Sequence, residues 1–162
     1  MADDVTPPAA PPATTPVAAP AETPVATPVA APGEAPEEGV TVYEAVGGMP
    51  FFQRLAAAFY EGIAVDPVLL PMYPSDDMEG AQHRLTLFLA QFWGGPLTYM
   101  EERGHPMLRA RHMPFPVGPT ERDHWLLHMS AAVERLTPPG EVRDAMMNYF
   151  VMAAEAMRNK DD

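Results

Sequence analysis

From Thr41 onward the apolar residues recur with the 3.6-residue period of a helix. Phe52, Leu55, Ala56, Phe59 and Ile63 fall at i, i+3, i+4, i+7 and i+11, one helical face. Ala81, Leu85, Phe88, Leu89 and Phe92 make a second face, stopped by Gly94-Gly95-Pro96. A third stripe, Trp125, Met129, Ala132, Val133 and Leu136, follows a start expected at Thr120 with Asp123. A fourth runs from Val142 through Met146, Tyr149, Phe150 and Ala153 to Met157, after Pro138-Pro139-Gly140. Thr41 and Glu44 have capping-box spacing ahead of a very short helix closed by Gly47-Gly48. Asp66-Pro67 reads as a cap followed by proline at a first helical position. No stretch alternates apolar and polar residues between turn signals. The pattern predicts an all-α domain of four substantial helices and several short ones.

Leu97 to Pro119 behaves differently, with four prolines, two glycines and three arginines around a helix-compatible piece, Pro106 to His112. Met113 precedes Pro114, which disfavours helical geometry at Met113, so this helix is expected to stop at or near His112. A histidine at such a stop has a well-defined backbone position. It is the first residue in the chain that looks placed rather than merely packed.

Composition divides the 162 residues near position 40. Residues 1–40 hold 10 of the 21 prolines, six acids, and no lysine, arginine or aromatic residue. Proline blocks both helix and sheet there, and little apolar surface is on offer, so a disordered, acidic Pro/Ala/Thr/Val-rich tail is expected. Residues 41–162 are the size of one domain and can bury one core. Of the net charge of −12, each part carries −6. With a single lysine, Lys160, the chain lacks the basic stripe that nucleic-acid binding needs. Without cysteine there are no disulfides, thiolate nucleophiles or iron–sulfur ligands. No apolar run approaches the roughly 18–20 residues that span a bilayer, and the N-terminus has acids where a signal peptide carries bases. The expected location is the cytoplasm.

Local catalytic and phosphate-binding motifs are absent. The histidines are His83, His105, His112, His124 and His128. Only His124 and His128 stand at i, i+4, and no carboxylate completes a metal site on their helix face. Tyr60, Tyr73 (between Pro71 and Pro74) and Trp125 bring polar groups onto apolar faces, where each must find a partner. A backbone carbonyl would serve any one of them; three together with a ligand-competent histidine point to a pocket. Two readings follow: a cofactor-binding helical protein, or a cofactor-free interaction module whose tail recruits partners.

Several runs are specific: Tyr43-Glu44-Ala45-Val46-Gly47-Gly48, Ala58-Phe59-Tyr60, Met72-Tyr73-Pro74, Gln91-Phe92-Trp93-Gly94-Gly95-Pro96, Arg103-Gly104-His105-Pro106, Arg111-His112-Met113-Pro114-Phe115 and Glu121-Arg122-Asp123-His124-Trp125-Leu126. Over residues 42–159 the chain resembles the truncated haemoglobins, in particular their second group. The resemblance implies a two-over-two helical sandwich holding haem b. It makes His112 the proximal iron ligand, with His105 its nearest rival, and Tyr60, Tyr73 and Trp125 the distal polar cluster. Ala81 and Leu85 become distal-helix positions, Arg84 and Arg111 candidates for the haem propionates, and Phe115 a haem contact. The partners implied are diatomic gases: oxygen, nitric oxide and carbon monoxide. Oxygen storage or delivery, nitric oxide oxidation and peroxidase-like turnover all fit. The last two need electrons from a separate reductase, since no flavin- or nicotinamide-binding segment is evident. A homo-oligomer is compatible with the sequence.

Overall fold

The computed structural model of the protein describes residues 39–161. The disordered tail expected at residues 1–40 lies outside the described residues, except for Gly39 and Val40. In order along the chain come α1 (Val42–Ala45), α2 (Met49–Ile63), a 3-10 turn (Leu70–Met72), α3 (Met78–Phe92), α4 (Thr98–Arg103), α5 (Leu108–His112), α6 (Pro119–Leu136) and α7 (Glu141–Ala156). Among the described residues no strand occurs. The four long helices coincide with the four apolar stripes. α2 packs against both α3 and α6, and α6 packs against α7, so two helical pairs stack in the two-over-two arrangement. Phe52, Leu55, Phe59, Ile63, Leu85, Met129, Met146 and Phe150 fill the contact with 1 % exposure or less.

Local chemistry sets the ends of these helices. The Thr41 hydroxyl accepts the Glu44 N–H at 3.1 Å, and the Asp77 carboxylate accepts the Gly80 N–H at 3.1 Å. Past α3, Gly94 has φ +109°, and a Cβ there would stand 2.6 Å from the Thr41 Cβ. That close approach lets the Tyr43 N–H reach the Trp93 carbonyl at 2.9 Å, docking α1 onto the end of α3.

At three of the expected boundaries the local chemistry differs from the sequence reading. α6 begins at Pro119, because the Glu121 carboxylate reaches back to accept the Gly118 N–H at 2.8 Å and proline loses nothing at a first helical position. Asp66 does cap, accepting the Val68 and Leu69 N–H groups at 2.8 and 2.9 Å. Yet only turns and the 3-10 element follow, since Pro71 has no N–H to continue a helix. α5 does stop at His112, but Met113 keeps helical dihedrals (φ −58°, ψ −33°). The stop comes from Pro114, which cannot donate to the Ala110 carbonyl.

Candidate functional site

The polar aromatics chosen from the sequence come together. Tyr60 and Tyr73 meet edge to face, ring centroids 5.5 Å apart at 87°. Phe59 bridges the rest, 5.3 Å from Tyr60 and 5.5 Å from Trp125. Trp125 continues to Phe150 of α7 at 5.8 Å. Tyr73 reaches this cluster because the 3-10 turn ends in an extended residue (φ −109°, ψ 151°). All three polar aromatics are buried. The Tyr60 hydroxyl and the Trp125 indole N–H are buried with no hydrogen-bond partner among the described residues. Leaving such donors unmet costs roughly 1–3 kcal/mol each, so together they suit an acceptor that is not protein. Burial holds the Tyr60 phenol far above its ordinary range, with the Arg84 charge opposing only in part. Tyr60 is therefore a neutral donor at any physiological pH. Two further buried donors without a partner among the described residues, Trp93 Nε1 and Tyr149 Oη, have rings 5.5 Å apart, and Tyr149 in turn touches Phe150 at 5.5 Å.

Ala81 and Leu85 of α3 are fully buried. Arg84, nearly buried, pairs with Asp77 at 3.2 Å. Arg111 turns inward on its own loop: Nε donates to the Pro106 carbonyl at 2.6 Å and Nη2 to the Arg103 carbonyl at 3.1 Å. Phe115 is buried with the core.

His112 is fully buried, its Nδ1 2.7 Å from the Leu108 carbonyl. A carbonyl can only accept, so Nδ1 carries the proton and the lone pair resides on Nε2. That is the tautomer and the carbonyl-anchored orientation that metal-ligating histidines adopt. His105, by contrast, is exposed and accepts the Met107 N–H at 3.2 Å, shaping the turn where Met107 takes φ +40°. His112 is thus buried and His105 exposed, with their ring nitrogens in different hydrogen bonds. A small cavity beside Trp125 is lined by Leu69, Met72, Ala154 and Met157, with Val117 of the loop that follows His112 and Glu121 and Arg122 of α6.

The family model described as bacterial-like globin matches residues 41–159. The chain belongs to that family. Globins bind haem and, through it, diatomic gases such as oxygen. This globin is 41 % identical over 120 residues to the group 2 truncated hemoglobin YjbI of Bacillus subtilis, covering 74 % of this chain and 89 % of that protein. A thermostable hemoglobin from the actinobacterium Thermobifida fusca superposes with a TM-score of 0.72 at 57 % identity, over 74 % of this chain and 98 % of that one. The group II truncated hemoglobin of Bacillus anthracis gives 0.72 at 36 % identity, over 75 % and 98 %. The residues of this chain fit the group that the family implies. His112 is a buried imidazole with its lone pair on Nε2, and the buried Tyr60 hydroxyl and Trp125 indole N–H have no acceptor among the described residues.

One polar group escaped the sequence. His124 and His128 do have a carboxylate partner, Asp66, which arrives from the α2–α3 connection instead of their own helix. Asp66 Oδ2 lies 2.9 Å from His124 Nδ1 and 2.6 Å from His128 Nε2. Burial would raise this carboxyl, but the bonds from His124, Leu69, His128 and Val68 outweigh it and hold the group well below the usual carboxylate range. Contacts this short leave no room for an ion between them, and among the described residues no group of three or more His, Asp or Glu side chains is placed to hold a metal ion. The cluster ties the tyrosine-bearing connection to α6. His128 can sit there only over Gly62, where a Cβ would stand 2.2 Å from its Nδ1. No helix among the described residues is long and apolar enough to cross a membrane.

Proposed function

We propose that this globin holds haem b through His112 and binds oxygen and other diatomic gases beneath Tyr60, Tyr73 and Trp125. The observation that carries the reading is the fully buried His112, whose Nδ1–H is committed to the Leu108 carbonyl. When bound, haem supplies an iron that binds such gases and exchanges electrons. The chain supplies the rest. The neutral Tyr60 phenol and the Trp125 indole donate to partial negative charge on a ligand and cannot repel it with their own. Ala81 and Leu85 bring no polar group, so discrimination falls to the aromatics. Leu85 and Phe115 offer apolar contact to the macrocycle. Arg84 and Arg111 are the cations assigned to the propionates, each exchanging one of its present oxygen acceptors for a carboxylate.

Among physiological roles, oxygen retention has the most support: the cluster is rich in donors, and the structure of a relative, 41 % identical, is described as that of an oxygen-avid haemoglobin from Bacillus subtilis. Nitric oxide oxidation and peroxidase-like turnover would require an external reductase. The test is absorbance of the purified protein near 410 nm, where haem b absorbs intensely. His112→Ala should lose stoichiometric haem and regain it with added imidazole. Full retention in His112→Ala together with loss in His105→Ala would transfer the ligand role to His105. Stopped-flow mixing of the oxygenated protein with nitric oxide separates storage from oxidation.

A further inference from the structure

α5 has only five residues, too few to hold a helix by itself. The loop after it contains Pro114 and Pro116, which have no N–H to donate. Something else must fix the backbone of His112, and the segment following α7 does so. Asn159 Nδ2 donates to the His112 carbonyl at 3.1 Å and to the Phe115 carbonyl at 2.8 Å. Its Oδ1 accepts the Val117 N–H at 2.9 Å, and its own N–H donates to the Val117 carbonyl at 2.8 Å. Arg109 of α5 adds a bond from Nη1 to the Arg158 carbonyl at 3.1 Å.

We infer that Asn159 is a positioning residue for the proximal histidine: its amide clamps the backbone on the far side of His112 and so sets where the imidazole stands. The inference rests on His112 being the iron ligand. The residue type follows from the geometry. Two carbonyls and one N–H converge on one side chain, and only a primary amide offers two donor hydrogens and an acceptor in one plane. Aspartate would turn a carboxylate toward two carbonyl oxygens. Leucine, of similar shape, would leave both carbonyls and the Val117 N–H without this partner. The imidazole is then held at two points, Nδ1 by Leu108 within α5 and the backbone by Asn159 across 47 residues.

The experiment uses the full-length, haem-loaded protein. Asn159→Asp and Asn159→Ala are compared with Asn148→Ala, an exposed asparagine of α7. The iron–histidine stretching band of the ferrous protein is read by resonance Raman, and haem loss by transfer to excess apomyoglobin. Both Asn159 variants should shift or broaden the band and lose haem about tenfold faster, the scale of one or two missing hydrogen bonds. Asn148→Ala should do neither. A purely structural role would lower the melting temperature without moving the band. An unshifted band and haem loss at the wild-type rate in both Asn159 variants would overturn the inference. Should the variants not fold, hydrogen exchange at the Val117 amide of the wild-type protein decides: protection supports the clamp, and exchange as fast as an open loop refutes it. Persistence of the band in His112→Ala would sink the proximal assignment itself, a failure distinct from that of the clamp.

Discussion

Trp125→Phe isolates the indole N–H from the bulk of its ring. The side chain is 4 % exposed and sits between Phe59 at 5.5 Å and Phe150 at 5.8 Å, so a phenyl ring keeps most of the packing. What disappears is a buried donor that has no partner among the described residues. A hydrogen bond to a polarised ligand contributes about 1.5–3 kcal/mol, which corresponds to about a ten- to hundredfold change in an equilibrium constant. Oxygen should therefore dissociate at least about tenfold faster from Trp125→Phe, with association changing less because the pocket remains filled. Tyr60→Phe and Tyr73→Phe should each do less. Their rings meet at 5.5 Å, so one hydroxyl can partly replace the other, a network effect and not a sum. The assay is laser photolysis combined with displacement of oxygen by carbon monoxide in the three single variants. An unaltered dissociation rate in Trp125→Phe, with acceleration in Tyr60→Phe, would hand the donor role to Tyr60 and refute the reasoning.

Two other outcomes follow from the structure. Asp66 has its carboxyl held below the ordinary range, so its ionised form stabilises the fold above pH of about 4 and that contribution fades as pH falls further toward the depressed folded-state value. Asp66→Asn should cost about 2–3 kcal/mol at neutral pH through the two lost histidine acceptors, and should flatten the acid limb; urea midpoints at pH 7 and pH 3 check this, and parallel acid limbs in both proteins would count against it. A chain beginning at Thr41 should keep the haem spectrum and oxygen affinity of the full protein, because residues 1–40 hold no histidine, arginine or aromatic side chain to touch the cofactor; a large change in the oxygen equilibrium curve would mean that the tail reaches the pocket.

The sequence by itself determined whatever depends on residues a few positions apart. Each long helix announced itself by an apolar stripe of period 3.6, and the stop at His112 by the proline two residues on. These relations run between i and i+4, where the helix itself fixes the geometry. The site was legible in its parts: His112 stood out at a helix stop and Tyr60, Tyr73 and Trp125 as polar aromatics, and the family resemblance gave them roles. Their assembly was not legible. Phe59 read as one more core residue of its stripe, yet it joins Trp125 to Tyr60. Asp66 looked like a local cap, and its bonds to His124 and His128 span 58 and 62 residues. Asn159 carried no local signal, and its hold on His112 spans 47. His112 was chosen over His105 from its helix stop and the family resemblance; its burial and the Leu108 carbonyl facing its Nδ1 belong to the tertiary structure. Such partnerships depend on where the packed helices bring distant backbone together, and no spacing within one segment encodes that meeting.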